Sequence, residues 1–275
     1  MIILLILVIT LGIFYYDSNT RIVTNEYELN FNDLPSEFDG FRIVVLSDIH
    51  GAEFGKNNER LISNTIDANP DIIVITGDFI DRFDTTPIEM QLSRADILAE
   101  RLVQIAPVYY ITGNHDWDSR ELPALKGILE KHGVTILQNQ FVLLERDSQS
   151  IILAGTDDPN GRADMIMPTE FVERIRETHP DAFLIMLEHR NYNLPLYSAL
   201  GVDLVISGHA HGGIIRLPFT DGLIGPMREF LPSHTSGVQS LGSTKMLVSR
   251  GLGSPFAWMR LFNNPEIAVA VLRSE

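Results

Sequence analysis

Short apolar runs of strand length, each followed by polar residues, recur along the chain at residues 41–46, 71–76, 108–111, 182–187 and 203–206. Segments with helical patterning lie near residues 57–68, 87–104, 122–132 and 170–178, the last with Thr169 as its expected N-cap. The order strand, helix, strand predicts parallel βαβ units in the first half of the chain.

Three further short runs, at residues 134–137, 141–144 and 151–154, are spaced as in antiparallel hairpins. The pattern therefore changes from parallel to mixed strand pairing about halfway along the chain. A length of 275 residues allows one large domain or two small ones, and one domain is the simpler interpretation.

Residues 1–16 are apolar and carry no charged side chain. A helix of this length covers roughly 24 Å, which is marginal for a hydrocarbon core of about 30 Å. A cleaved signal peptide is the alternative, but a positively charged n-region is missing, and Tyr15 and Tyr16 are typical of an interfacial aromatic belt. We therefore expect a single uncleaved anchor in the cell membrane with the rest of the chain on its extracytoplasmic side, although flanking charge says little about the side.

The remaining chain divides into residues 17–40, a linker with a lead-in edge strand at 24–29, and residues 41–275, the main domain. The formal net charge of −15 argues against a nucleic-acid partner, because a phosphate backbone is bound by lysine and arginine. Since the chain has no cysteine, a metal site must be built from His, Asp, Glu and Asn.

Polar residues capable of binding metal follow each of the five apolar runs. Five of the eight histidines belong to this set, which comprises Asp48, His50, Asp78, Asn114, His115, His189, His209 and His211. One buried histidine is usually a hydrogen-bonded core residue, but so many imidazoles and carboxylates at one sheet edge would be desolvated and poorly paired without a cation. The pattern therefore predicts a metal site.

A site for two divalent ions accounts for the whole set. One ion would take Asp48, His50 and His211, the other would take Asn114, His189 and His209, and Asp78 would bridge them. Two such ions hold a bridging hydroxide as nucleophile and attract phosphate despite the acidic surface. His115 is not needed as a ligand and is the candidate general acid, with Asp116 expected to orient it.

The motifs Asp48-x-His50, Gly77-Asp78-x-x-Asp81, Gly113-Asn114-His115-Asp116, His189 and Gly208-His209-x-His211 resemble those of the calcineurin-like metallophosphoesterase superfamily. The resemblance covers residues 41 to about 213 and implies a four-layer α/β/β/α sandwich of two mixed sheets flanked by helices. It also implies two metals drawn from Mn, Fe, Zn or Ni, and hydrolysis of a phosphomonoester, phosphodiester or pyrophosphate.

The C-terminal region, with Ser249-Arg250-Gly251-Leu252-Gly253, Arg260 and Asn264-Pro265-Glu266-Ile267, resembles a membrane-anchored branch that includes UDP-diacylglucosamine hydrolases. Arg190 and Arg250 are candidate substrate-binding residues. Arg190 and Asn191 follow His189 where that branch often has a proline, a departure that bears on substrate contacts and leaves metal binding intact.

Two questions remain open from the sequence. The alternative to an enzyme is a membrane-tethered scaffold with a degenerate phosphoesterase fold, which the complete ligand set disfavours. The apolar residues of the 212–237 loop either fill a local core or form an exposed surface for a lipid-linked phosphate ester. These residues are Ile214, Ile215, Leu217, Phe219, Leu223, Ile224, Met227, Phe230 and Leu231.

Overall fold

The computed structural model describes residues 1–161, 166–217, 219–225, 228–254 and 260–275. In these ranges the strands are β1 Val23–Phe31, β2 Arg42–Leu46, β3 Ile72–Thr76, β4 Val108–Ile111, β5 Thr135–Ile136, β6 Gln140–Arg146, β7 Gln149–Gly155, β8 Leu184–Leu187, β9 Leu204–Ser207, β10 Gly237–Leu241, β11 Thr244–Val248 and β12 Glu266–Ser274. The helices are α1 Ile2–Thr20, α2 Glu59–Asp67, α3 Ile88–Leu102, α4 Asn114–Asp118, α5 Leu122–Lys131, α6 Pro168–Thr178 and α7 Leu194–Ala199.

The strands form two six-stranded sheets, with the orders β1-β12-β2-β3-β4-β5 and β10-β11-β9-β8-β7-β6. Apolar side chains between the sheets, including Val45, Val74, Leu153 and Ile185, form one core. A second core lies between the first sheet and helices α2, α3 and α5, and a third lies between the second sheet and helices α6 and α7. The predicted four-layer sandwich of two mixed sheets flanked by helices is confirmed.

The predicted βαβ units are present, because β2, β3 and β4 pair in parallel with α2 and α3 as their connections. The predicted antiparallel hairpin is formed by β6 and β7. The run at 134–137 was also expected in an antiparallel hairpin, but its strand β5 pairs in parallel with β4 in the first sheet. Thr169 lies inside α6, whose N-cap is Met167, because Pro168 begins the helix.

Helix α1 extends four residues beyond the predicted segment and is 19 residues long, apolar and mostly exposed. By length and composition it can cross a membrane. Strand β1 begins at Val23 and lies at the edge of the first sheet, where it pairs in parallel with β12. The predicted lead-in edge strand thus pairs with the C-terminal strand, while the proposed division into three segments stays a prediction.

Candidate metal centre

The predicted ligands meet at the carboxyl ends of the strands, where the backbone turns sharply. Five of them, namely Asp48, His50, Asp78, His209 and His211, have φ angles between 48° and 67°. This left-handed region is unfavourable for residues with a Cβ, and such strain is tolerated where the surrounding structure holds it. Backbone hydrogen bonds do so here, since the amides of Asp48 and His50 donate to the carbonyls of Gly77 and Asp78 at 3.1 and 2.9 Å.

Two glycines allow these turns to approach one another closely. A Cβ on Gly208 would lie 1.9 Å from Ser47 Oγ and 2.5 Å from Asp48 Oδ2, and a Cβ on Gly113 would lie 2.2 Å from Asp78 Oδ1. Neither position has room for a side chain. Glycine at these two points therefore brings the ligands of both sheets into one cluster.

The first group of potential ligands comprises Asp48, His50 and His211, all buried and with ligand atoms within 4.8 Å of one another. Nε2 of His50 faces Nε2 of His211 at 3.2 Å, and the latter lies 3.4 Å from Asp48 Oδ1. The Nδ1 atom of His50 lies 3.2 Å from Asp81 Oδ2, an arrangement that directs Nε2 inward. Two facing ring nitrogens beside a carboxylate match the donor set of a divalent ion.

The second group comprises Asp78, His189 and His209. Nε2 of His189 lies 3.2 Å from Asp78 Oδ2, 3.1 Å from Asn114 Oδ1 and 3.1 Å from Nδ1 of His209. Nδ1 of His189 is 2.8 Å from the carbonyl of Thr76 and donates to it, which leaves the lone pair of a neutral ring on Nε2. That lone pair faces other acceptor atoms, an arrangement that suits a cation.

Asp78 Oδ2 lies between the two groups, 3.8 Å from Nε2 of His50 and 3.2 Å from Nε2 of His189. Burial opposes ionisation of Asp78, but the imidazoles of His189 and His50 hold the pKa of its carboxyl well below its usual range. Burial lowers the pKa of His189, yet the charge of Asp78 and its hydrogen bond outweigh this and raise that pKa to about 10. Positive charge, whether a proton or a metal ion, is thus stabilised at this point.

The contact expected between His115 and Asp116 is made by a different carboxylate. Nδ1 of His115 lies 2.9 Å from Asp81 Oδ1, and the other oxygen of Asp81 lies next to His50. Burial lowers the pKa of His115, but Asp81 and the charge of Asp78 outweigh this and raise it to about 9. His50, Asp81 and His115 also form a third group with metal-ligand geometry, but in it Asp81 already pairs with both rings.

Asp116 is fully buried and holds the backbone of the site together. One of its oxygens accepts hydrogen bonds from the amides of Phe79 and Ile80, at 2.8 and 3.1 Å. The other accepts from the Tyr110 hydroxyl and the Gly113 amide, at 2.8 and 2.9 Å. The prediction that Asp116 orients His115 is therefore corrected, because these contacts are made to Tyr110 on β4 and to the turns that carry Asp78 and Asn114.

The two arginines predicted to bind substrate have other partners. The guanidinium of Arg190 makes two hydrogen bonds to the buried carboxylate of Asp158, at 2.8 and 3.0 Å. The amide of Arg250 donates to Glu266 Oε2 at 2.8 Å, and its Nε lies 3.9 Å from Glu266 Oε1. Neither arginine belongs to the clusters of potential ligands, so a substrate contact for either stays a prediction.

Two functional candidates escape sequence reasoning. Asp81 appears in the sequence motif without an assigned role, and only the folded turn shows that it pairs with His50 and His115. The hydroxyl of Tyr192 lies 2.7 Å from Nε2 of His209. This contact supports the imidazole ring of His209, whose Nδ1 points into the second group. No spacing in the sequence signals this contact, because Tyr192 is exposed and lies in a loop.

Two cavities that share no lining residue lie beside the cluster. One, of about 400 Å³, includes His50 and the last turn of α1. The other, of about 910 Å³, includes Tyr192, Ala210, Phe230 and Leu231. In the 212–237 loop, Leu217, Phe219, Phe230 and Leu231 are exposed, Ile214 is buried, Ile215, Leu223 and Ile224 are half-buried, and Met227 lies outside the described residues.

A family model for calcineurin-like phosphoesterases matches residues 41–213, the segment that carries the strand-end ligands. The chain is a calcineurin-like phosphoesterase. The chain is 32% identical over 257 residues to the uncharacterized metallophosphoesterase YkuE of Bacillus subtilis, covering 92% of this chain and 86% of that protein. It is 31% identical over 247 residues to a transmembrane protein with metallophosphoesterase domain of Danio rerio, covering 82% of this chain and 54% of that protein.

A solved structure supports the fold alone. NAD nucleotidase of Haemophilus influenzae superposes with a TM-score of 0.51 at 11% identity, covering 77% of this chain and 50% of that chain.

Family membership and the clustered His and Asp residues identify the protein as a metal-dependent phosphoester hydrolase. The alternative of a scaffold is not supported, and α1 together with the transmembrane relative supports membrane anchoring. The narrower resemblance to UDP-diacylglucosamine hydrolases stays a prediction.

Proposed function

We propose that this phosphoesterase acts through two divalent ions, one held by Asp48, His50 and His211 and the other by Asn114, His189 and His209. Asp78 would serve both, because its Oδ2 atom faces a ring nitrogen of each group. This shared oxygen is the observation that carries the proposal, since it joins two half-sites into one centre. When bound, such ions supply an activated water at neutral pH and positive charge for the phosphoryl oxygens.

The donor atoms fit this role. They are imidazole nitrogens, carboxylate oxygens and one amide oxygen, a mixture that suits Mn, Fe, Zn or Ni. The outer nitrogens of His50, His189 and His209 are each placed against an oxygen of Asp81, Thr76 or Tyr192, respectively. These outer contacts fix the tautomer and the orientation of the rings, as is usual for metal-binding histidines.

His115 is the proton donor in this proposal. Its Nδ1 is held by Asp81, so that Nε2 remains to protonate the oxygen of the leaving alcohol. The ring is only partly buried, with 19% of its side chain exposed, and it lies edge-on to His50 with the ring centroids 4.7 Å apart. A substrate bound at the ligand cluster is therefore within reach of His115 while solvent is largely kept away.

We propose further that the substrate is a phosphate ester linked to a lipid. Phe219 is fully exposed and Phe230 is 75% exposed, although both lie in the loop that follows two predicted ligands. At about 25 cal/mol per Å², contact of roughly 200 Å² of this surface with acyl chains would contribute about 5 kcal/mol at most. The anchor adds to this by holding such a substrate at high local concentration.

Hydrolysis of bis(p-nitrophenyl) phosphate and p-nitrophenyl phosphate, with and without added Mn²⁺ after chelation, tests the catalytic proposal. We expect hydrolysis that returns with metal and is abolished by His209→Ala. His132→Ala is the matched control, because His132 pairs with Asp96 outside the ligand groups. Equal metal-dependent rates in wild type and His209→Ala would contradict the assignment of ligands.

The lipid preference is tested by kcat/KM for an acylated phosphate ester and its deacylated analogue in detergent. We expect Phe219→Ser combined with Phe230→Ser to reduce the preference for the acylated substrate. Leu143→Ser is the control, because Leu143 is also exposed but lies on β6. An unchanged preference in the double variant would mean that the loop has no part in lipid recognition.

A further inference from the structure

The cavity beside His50 lies between the predicted metal centre and the membrane helix. It has a volume of about 400 Å³, and its lining includes His50, Asn19 and Thr20 of α1, and the side chains of Arg60 and Arg94. A ligand in this cavity would therefore touch both the last turn of the anchor and one of the potential metal ligands.

The position of α1 against the domain is fixed by several contacts. Asn19 and Arg260 exchange two hydrogen bonds, from the Asn19 side-chain amide to the Arg260 carbonyl at 2.8 Å and from the Arg260 amide to Asn19 Oδ1 at 3.2 Å. The side-chain amide of Asn264 donates to the Asp17 carbonyl at 2.9 Å. Ser18 is buried, so the helix end is part of the domain surface.

These contacts set the height of the cavity relative to a membrane. Residues 2–16 of α1 are all exposed, and their side chains are apolar or aromatic except at Thr10 and Gly12. This exposed series ends at Tyr15 and Tyr16. Aromatic residues of this kind lie at the membrane–water interface. Asn19 follows Tyr16 by three residues of helix, which at about 1.5 Å per residue is a distance of about 4.5 Å along the helix axis. We therefore expect the cavity to open within the headgroup layer.

The charges around the cavity favour an anion. Three arginines, Arg60, Arg94 and Arg260, line it against two carboxylates, Glu53 and Asp84, although the whole chain carries −15. Arg260 is buried and donates to backbone carbonyls. Arg60 is exposed and its guanidinium makes a 3.2 Å hydrogen bond to the Thr20 carbonyl, while Arg94 lies 3.3 Å from Glu53 Oε2.

We propose that this cavity binds the phosphate headgroup of a membrane lipid and presents it to the metal centre, an inference that rests on the proposed function. Arg60 supplies the main contact because its guanidinium is exposed and its one partner among the described residues is a carbonyl. Arg94 contributes less because Glu53 competes for it. A phosphate held by arginine forms charge-assisted hydrogen bonds, and the anchor keeps the cavity at the depth where lipid phosphates lie.

The proposal predicts that two substitutions change the affinity for a lipid phosphate in opposite directions. Arg60→Gln should weaken binding of a lipid phosphate about tenfold, because the substitution removes a charge-assisted hydrogen bond to the phosphate. Glu53→Gln should strengthen it, because Arg94 is then released from its carboxylate partner. Arg60→Lys should restore part of the affinity. Arg101→Gln is the control, because Arg101 also donates to a backbone carbonyl, that of Asn57, outside the cavity lining.

The probe is the phosphonate analogue of phosphatidic acid, which resists hydrolysis, and its retention by the purified full chain is measured by native mass spectrometry against phosphatidylcholine. We expect retention of the phosphonate to exceed that of phosphatidylcholine at least tenfold, to fall in Arg60→Gln and to rise in Glu53→Gln. Retention that is equal for both lipids, or unaffected by both substitutions, would overturn the inference. Thermal melting of each variant checks that it is folded.

Competition with glycerol 3-phosphate distinguishes a lipid headgroup from a free phosphate. We expect glycerol 3-phosphate to displace the lipid analogue only at a concentration at least tenfold higher than that of the lipid. Displacement at equal concentrations would assign the cavity to a soluble phosphate and overturn the lipid assignment. Hydrolysis of bis(p-nitrophenyl) phosphate by the same preparations is measured in parallel. Complete absence of hydrolysis would refute the proposed function, whereas the lipid-binding result would still stand by itself.

Discussion

Replacement of Asp81 by Asn tests whether one carboxylate supports both the metal centre and the proton donor. Asp81 is fully buried, with one oxygen 2.9 Å from Nδ1 of His115 and the other 3.2 Å from Nδ1 of His50. Asn has nearly the same shape, so the substitution removes the charge and one acceptor without opening a cavity. Both imidazoles then lose their anionic partner.

The magnitude follows from these two contacts. A hydrogen bond that involves a charged group contributes about 1.5–3 kcal/mol, which corresponds to a factor of about 10 to 150. On the His50 side we expect metal to bind about 10–100-fold more weakly, the usual effect of losing an outer partner of a metal-binding histidine. On the His115 side we expect a similar loss in kcat for a substrate with an alkyl leaving group.

The two effects are separated by titrating metal at fixed substrate. Saturating Mn²⁺ should restore the part of the activity that depends on His50, while the part that depends on His115 should remain lost. An ester of p-nitrophenol needs little protonation of its leaving group, so its residual defect at saturating metal should be several-fold smaller than that of an alkyl ester. Metal content is measured by inductively coupled plasma mass spectrometry.

Asp96→Asn is the control, because Asp96 pairs with His132 at 2.8 Å on the helical side of the domain. It should leave metal affinity and both rates unchanged. If Asp81→Asn at saturating metal is fully active on the alkyl ester, the contact between Asp81 and His115 has no catalytic role. If its metal affinity equals that of the wild type, the contact with His50 is not a support for the ligand.

Three further substitutions test the rest of the site. Asp78→Asn should remove nearly all activity and metal, as measured by rate and metal content together, because both ligand groups share its Oδ2 atom. His115→Ala should lower kcat by roughly 10²–10⁴ while metal content is retained, and loss of metal would show that His115 is not simply a proton donor. Gly208→Ala should weaken metal binding in a metal titration, because its Cβ would lie 2.5 Å from Asp48 Oδ2. Gly127→Ala lies in helix α5, where an added Cβ would meet no described atom within 4 Å beyond its own helix backbone and chain neighbours. This substitution should instead leave metal binding unchanged and raise the melting temperature.

Much of the fold was predictable because its central strands, such as β3, β8 and β9, are buried on both faces. Such strands have continuous apolar sequences, as in Ile72–Thr76, and the ligands stand immediately after them. Since parallel strands present their carboxyl ends at one edge, residues distant in sequence such as His50 and His189 were expected near one another. The structure brings both into the same cluster.

Other features depend on contacts that local sequence does not reveal. Strand β12 lies between β1 and β2, with Val23 paired to Glu266, although these residues are at opposite ends of the chain. The choice between Asp81 and Asp116 as the partner of His115 depends on the left-handed turn at Asp78, which sets the directions of the side chains around it. Periodicity determines which residues are buried, but not the direction of a side chain in such a turn.

The two groups of potential ligands each draw on both sheets. Asp48, Asp78 and Asn114 follow strands of the first sheet, whereas His189, His209 and His211 follow β8 and β9 of the second. A folding intermediate with only one sheet formed would offer at most two of the three members of either group. High-affinity ion uptake would thus occur late, after the sheets have packed together, and bound ions would then oppose their separation because they bind the native state in preference to the unfolded chain.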